Sequence, residues 1–298
     1  MLFRSLMFVP AHNERLMNSA VSSNADILLL DIEDSVQPLP QKQVARDKVI
    51  EYLESGSLEN RVVFPRINDR ESGQLLKDLY ELSLPGVSGF MVPKSKTGED
   101  VYFISKLLST IEYEKGIPQG TFKLIPLIET ASAVLHAEEI CRASSRVVAI
   151  AFGCEDFITD VEGVHDREGE SIFSARAMIA LAARAAEVIP IDTVHIDVHD
   201  LDHLELNLQV AKKLGFEGML VLNPKEIPLV HSYFSPSDEE ILAAQDMISM
   251  AEEAEMSGKG VAIIGNKFVG PPMVRAARKV LDKNEEIVNE MIRRRGNL

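Results

Sequence analysis

Short apolar runs recur along this chain, and each is nearly continuous rather than alternating. "SLMFVP" (5–10), "DILLLDI" (26–32), "RVVFPRIN" (61–68) and "GFMVPKS" (89–95) come first. "KLIPLIE" (123–129), "VVAIAFG" (147–153), "TVHIDV" (193–198) and "GMLVLNP" (218–224) follow. Unbroken runs of this length fit parallel strands covered on both faces. Amphipathic stretches separate them, among them "ESGQLLKDLYEL", "ASAVLHAEEICRAS" and "LDHLELNLQVAKKLG", the last stopping at Gly215, a helix-ending glycine. Strand–helix alternation predicts an α/β fold with a parallel sheet. About eight such units favour a closed (β/α)₈ TIM barrel over an open sheet, and "VPAHNERL" lacks the glycine-rich first crossover of a dinucleotide fold.

The pattern changes after the eighth run. In "SPSDEEILAAQDMISMAEEAEM", Ser237 can cap a helix whose first turn carries Asp238, Glu239 and Glu240. "SGKGVAIIGNKFVG" interrupts, matching neither GxGxxG nor a P-loop. Prolines then open a last helix, "PPMVRAARKVLDKNEEIVNEMIRRRG", with Arg293, Arg294 and Arg295 at its end. Met273, Ala276, Ala277, Val280 and Leu281 form a stripe at helical spacing that needs cover. The expected organisation is a barrel over 1–235 and a C-terminal helical arm over 236–298 that packs on a neighbouring subunit.

Composition narrows the function. The formal net charge of −15 opposes general nucleic-acid binding, which needs the opposite balance. Small anionic ligands need only a local basic pocket and stay possible. Cys141 and Cys154 have no metal-like or redox-like spacing and read as reduced. No run approaches the ~18 apolar residues of a membrane span, and the first residues lack a signal peptide's long apolar region. A cytoplasmic protein without membrane partners is the expectation.

Three of the runs end in acid: Asp31, Glu33 and Asp34 after the second, Glu129 after the fifth, Glu155 and Asp156 after the sixth. Ionised carboxylates beside an apolar interior need a partner. In a barrel, strand C-termini share one mouth. Strands ending in Glu129 and Asp156 are neighbours, roughly 4.8 Å apart, so both carboxylates can reach one cation. Oxygen-only ligation by few protein groups suits Mg²⁺; helix caps or structural ion pairs are the alternative. Arg66 and Lys94 end the third and fourth runs at the same level. Arg66 can grip a substrate carboxylate as a fork, or pair with Asp31, Glu33 or Asp34, the reading favoured for Lys94. Metal, arginine and acids together suit a keto-acid or dicarboxylate site in which the metal stabilises an enolate. His195 and His199, with Asp197 and Asp200, read as hydrogen-bonded polar groups in preference to a zinc site, and Cys154 as packing.

At these residues the sequence resembles the citrate lyase β-subunit family, within the wider HpcH/HpaI aldolase superfamily. The likeness runs nearly end to end through "RSLMFVP", "LLLDIEDSVQPLPQKQVARDKV" (with Lys42 and Arg46), "VFPRIN", "GFMVPKS", "LIPLIET", "IAFGCEDFITD" and "LGFEGMLVLNPKEIPLVHSYFSPSDEEILAAQ". It implies a (β/α)₈ barrel, a homotrimer or dimer of trimers, and carbon–carbon bond cleavage in acyl thioesters of citrate, malate or citramalate. By motif, Glu129 and Asp156 correspond to the Mg²⁺ ligands, and Arg66 to the arginine that binds the keto-acid carboxylate. Asp34 corresponds to an acidic catalytic neighbour behind the ligands. The resemblance thus implies a Mg²⁺-dependent lyase on a short hydroxy-acyl-CoA or hydroxy acid, releasing oxaloacetate, glyoxylate or pyruvate. Two positions depart from the family pattern. Leu222-Asn223-Pro224 stands where isoleucine-histidine-proline is common near the coenzyme A entrance. Gly270 stands where a late aspartate is common. The second departure raises two alternatives, a noncatalytic metal- and keto-acid-binding protein and an acyl-CoA thioesterase.

Overall fold

Seven of the eight apolar runs contribute strands to one eight-stranded parallel sheet in the computed structural model, which describes residues 1–256, 262–264 and 267–296. The strands are β1 (Ser5–Pro10), β2 (Ile27–Asp31), β3 (Val62–Val63), β4 (Gly89–Val92), β5 (Lys123–Ile128), β6 (Ala149–Phe152), β7 (Ile189–Asp192) and β8 (Gly218–Val221). Their order is β3-β2-β1-β8-β7-β6-β5-β4. β3 is short because Pro65 follows at once and has no N–H to give a ladder. The ring nevertheless closes through this segment. Arg66 N–H donates to Leu30 (2.9 Å), Met91 N–H to the Pro65 carbonyl (2.9 Å) and Ile67 N–H to Met91 (3.2 Å). A (β/α)₈ barrel results.

Side chains alternate across each strand, and one set fills the barrel interior: Leu6, Ile27, Leu29, Phe64, Met91, Ile125, Leu127, Ala149, Ala151, Ile191 and Leu220 are all buried. Ion pairs from Arg146 to Glu112 (2.5 Å) and Arg176 to Asp192 (2.5 Å) tie helices to the strands behind them. The seventh strand is displaced from its expected place. It is Ile189–Asp192, and the run 193–198 lies in the loops that follow. Pro190 hides it in the sequence, because proline demotes a run as a strand; here its carbonyl accepts from Glu217 N–H (3.0 Å).

The chain divides into two compact units, Phe3–Val230, which holds the barrel, and Met1–Leu2 with His231–Leu298. The second unit contains the helix Asp238–Met256, an antiparallel pair β9 (Ala262–Ile264) and β10 (Lys267–Val269), and the helix Pro271–Gly296. Ser237 caps the first helix: its Oγ accepts from Glu240 N–H (3.1 Å) while Glu240 accepts from Ser237 N–H (2.9 Å). Of the interrupting glycine-rich segment, residues 257–261 and 265–266 lie outside the described residues. Gly270 is buried and its carbonyl accepts from Met273 N–H (3.0 Å) and Val274 N–H (3.3 Å), opening the last helix. Ala277 of the stripe on that helix is buried; Met273, Val280 and Leu281 are half-buried and Ala276 is exposed.

Candidate active site

β2 delivers the first acids. Asp31 ends the strand, buried, and every carboxylate contact it makes is local or to Arg66. Oδ1 accepts from Arg66 Nε (2.7 Å) and Glu33 N–H (2.9 Å); Oδ2 accepts from Arg66 Nη2 (2.7 Å) and Ser35 N–H (3.2 Å). Burial alone would raise its pKa, but the Arg66 hydrogen bonds and charge outweigh it and hold the carboxyl below the ordinary range. Arg66 arrives from the segment that closes the ring, paired through its backbone to Asp31 and Met91. Its guanidinium lies 4.8 Å from the Phe8 ring centre and is mostly buried. One edge of the fork, Nε with Nη2, is therefore committed to Asp31, and Nη1 stands 3.2 Å from Glu33 Oε2. Of the two Arg66 roles read from the sequence, the ion pair with Asp31 and Glu33 is the one formed here.

Glu33 is buried between cations. Oε1 accepts from Lys94 Nζ (2.8 Å) and Oε2 from Asp34 N–H (3.0 Å). Burial pushes its carboxyl up to about 7, opposed by Arg66 and Lys94. Lys94 also lies 3.6 Å from Asp34 and 3.5 Å from Asp69, so its structural ion pairing is as expected. The Asp34 side chain is half-exposed, 3.9 Å from Arg66 Nη1. Behind this group, Lys42 Nζ donates to the Glu33 carbonyl. Arg46 pairs with buried Asp78 (2.6 Å), which also accepts from Asn68 N–H (2.7 Å) and anchors the loop after Arg66.

Glu129, directly after β5, is almost wholly buried. Its Oε1 accepts from the N–H of Lys94 (2.5 Å), which adopts a left-handed backbone (φ 52°). Such a conformation is costly away from glycine and is maintained where surroundings over-determine it. No described residue hydrogen-bonds Oε2. Burial pushes the carboxyl up to about 8; the charges of Asp156 and Glu33 add to that, against the Lys94 N–H and Arg66. Asp156 belongs to the first turn of the helix Cys154–Asp160, not to a strand end. Gly153 turns the chain off β6, and its carbonyl accepts from Phe157 N–H (3.2 Å) to start that helix. Acids in a first turn complement the helix dipole, which is the local reason for Glu155 and Asp156 there. The Asp156 side chain is exposed and makes no hydrogen bond or ion pair with a described residue.

This donor set fits a small hard cation. A carboxyl held near 8 is mostly protonated at neutral pH unless a positive charge joins it, and the charge of Asp156 adds to the shift instead of relieving it. Among the described residues no group of three or more histidines, cysteines and acids is placed to enclose a metal. Two carboxylates with water and substrate completing the shell is the usual arrangement for Mg²⁺.

The remaining candidates stand apart from this chemistry. His195 donates from Nε2 to the Asp200 carbonyl (3.1 Å) and accepts at Nδ1 from Asn207 (3.3 Å); burial lowers its pKa and keeps it neutral. Asp200 caps the helix Leu201–Leu214. Cys154 is buried, its thiol pushed up to about 12, so it packs and does not attack. Gly153 is the residue that sequence reasoning passed over. A β-carbon placed there would lie 2.9 Å from Glu129 Cβ and 3.0 Å from Glu129 Oε2. The only hint in the sequence was a glycine between an apolar run and two acids.

A family model described as HpcH/HpaI aldolase/citrate lyase matches residues 4–224. The chain is similar to citrate lyase subunit beta of Leuconostoc mesenteroides subsp. cremoris, 32% identical over 280 residues, covering 94% of this chain and 92% of that one. It is 28% identical over 288 residues to the mitochondrial citramalyl-CoA lyase of Rattus norvegicus, covering 93% and 85% of the two chains. Among solved structures, protein CitE from Mycobacterium tuberculosis, in complex with magnesium, acetoacetate and coenzyme A, superposes with a TM-score of 0.75 at 26% identity. That match covers 95% of this chain and 98% of the other.

Proposed function

The chain belongs to the HpcH/HpaI aldolase/citrate lyase family, and on that premise we propose a Mg²⁺-dependent carbon–carbon lyase. Its substrate would be a short hydroxy-acyl-CoA or hydroxy acid, and its product a keto acid such as oxaloacetate, glyoxylate or pyruvate. The observation that carries this reading is Glu129, a carboxyl that burial raises to about 8 with the charge of Asp156 adding to it, and whose Oε2 accepts no hydrogen bond from a described residue. Lyase chemistry and magnesium both come from relatives, whose names specify citrate and citramalyl-CoA lyases and a magnesium complex.

In this reading Glu129 and Asp156 would hold Mg²⁺, which when bound would supply Lewis-acid stabilisation of negative charge on a substrate oxygen. Arg66 receives the keto-acid carboxylate on its outer edge. Asp31 keeps the guanidinium in one orientation, so little freedom is lost when the ligand arrives. Lys94 gives its N–H to Glu129 and its ammonium to Glu33, and so joins the metal side of the mouth to the arginine side. Asp34, half-exposed between Lys94 and Arg66, is assigned to ordering water or substrate at the entrance. Residues 236–298 are assigned to an arm that assembles a homotrimer or dimer of trimers.

Gly270 favours a second reading, a noncatalytic binder of metal and keto acid. It is buried and serves as a helix-opening residue, with no acid at that position. Mass spectrometry of malyl-, citramalyl- and citryl-CoA incubated with the protein and Mg²⁺ separates the two. Keto acid released in a Glu129-dependent manner supports the lyase. Binding of pyruvate or oxaloacetate without turnover of any thioester supports the binder.

A further inference from the structure

We infer that Gly153 sets the spacing between Glu129 and Asp156 and thereby makes the site prefer Mg²⁺ to larger divalent cations. This rests on the reading of those two carboxylates as the metal's protein ligands. Gly153 has an ordinary backbone (φ −103°, ψ 89°), open to L-residues, so no torsional demand for glycine exists here. The demand is steric. A β-carbon on Gly153 would sit 2.9 Å from Glu129 Cβ, 3.0 Å from Glu129 Oε2 and 3.4 Å from Leu127 Cγ. Ordinary carbon–carbon contact begins near ~3.5 Å, so an alanine must open this gap by roughly half an ångström.

Neither side can yield without moving a ligand. Glu129 Cβ is close to its own backbone, and the carboxylate cannot swing aside because Oε1 is bonded to Lys94 N–H. On the other side, Gly153 N–H donates to the Ile128 carbonyl (2.9 Å), while the Gly153 carbonyl accepts from Phe157 N–H (3.2 Å). A shift of Gly153 therefore carries the helix that begins at Cys154, with Asp156 in its first turn. Opening the gap separates the two carboxylates, or turns Glu129 away.

The size of that opening matters to a cation. Mg²⁺ requires oxygen at about 2.0–2.1 Å in near-octahedral geometry, whereas Ca²⁺ accepts about 2.3–2.6 Å and irregular geometry. The difference per ligand is of the same order as the displacement an added methyl would impose. Gly153 is thus a positioning residue: its bare Cα spares the ligand pair a displacement that Mg²⁺ tolerates less than Ca²⁺ does.

Titration calorimetry with MgCl₂ and CaCl₂ tests this on the full chain, with circular dichroism confirming that each variant is folded. The parent should bind Mg²⁺ at least about tenfold more tightly than Ca²⁺. Gly153→Ala should lose about tenfold or more in Mg²⁺ affinity while Ca²⁺ affinity changes little, so the preference shrinks or inverts. A merely structural glycine would leave the Mg²⁺-to-Ca²⁺ ratio at the parent's value, and that result overturns the inference. Equal affinity of the parent for the two ions would also overturn the inference, since there would then be no preference for Gly153 to set. Glu129→Gln serves as the separate control. Parental Mg²⁺ binding in that variant would sink the metal reading itself, independently of Gly153.

Discussion

Replacing Glu129 by glutamine keeps the shape of the side chain and removes one titrating proton from the barrel mouth. Without metal, burial holds this carboxyl at about 8 in the folded protein, against an ordinary 4.5. Between those values the folded state keeps a proton that the unfolded state has released. Stability of the metal-free protein therefore falls as pH rises from about 4.5 to about 8, and the loss is complete above that range. At ~1.4 kcal/mol per pH unit the full window is worth at most about 5 kcal/mol, and water reaching the mouth reduces it to a few. Glutamine carries no such penalty and can still accept from Lys94 N–H. Thermal melts in EDTA should thus show Glu129→Gln more stable than the parent at pH 8.5, with the difference vanishing near pH 4.5. Mg²⁺ should reverse the order at high pH by stabilising the parent alone. In calorimetry, the parent's Mg²⁺ affinity should fall by up to about tenfold per pH unit below 8, because the ion must displace the proton. A parent whose Mg²⁺ affinity is flat between pH 6 and 9, or a variant with the parent's pH–stability profile, would refute the reasoning.

Arg66→Lys keeps a positive charge but cannot hold both Asp31 oxygens and also present an outer edge, so pyruvate or oxaloacetate affinity should fall by about 1.5–3 kcal/mol. Undiminished binding by calorimetry would make Arg66 purely structural. The half-covered stripe on the last helix should be buried between copies, so light scattering at micromolar concentration should report a trimer or larger; a mass near 33 kDa would exclude this. Thioester cleavage by the parent should be slow or absent, and Gly270→Asp should raise it, since acid–base help is typically worth about 10²–10⁴-fold. Because Gly270 is buried, circular dichroism must first show the variant folded; parental turnover already in the range of ordinary enzymes, about 1–10³ s⁻¹, would show that an acid at 270 is dispensable.

Local pattern decided much of this molecule. Continuous apolar runs carry their own strand preference, and their number and alternation with helices leave the closed barrel as the economical way to bury them. The same pattern placed Glu129 directly after β5 and put the acids of β2 and the Arg66 segment at one mouth, because strand C-termini in a barrel share a face. What the sequence did not decide is which partner each polar group takes. Arg66 and Asp31 are 35 positions apart, and only the parallel pairing of the β3 segment with β2 brings the fork onto the carboxylate. Asp156 looked like a strand end because nothing in "FGCED" marks where extended chain gives way to helix; the turn at Gly153 is fixed by its bond back to β5. Pro190 hid β7, since its strand pairing depends on neighbours supplied by β6 and β8. Gly153 had only a faint sequence signal, a glycine between an apolar run and two acids. Its contact is with a side chain that follows the adjacent strand, and contacts across a sheet are set by register, which exists only once β5 and β6 have paired.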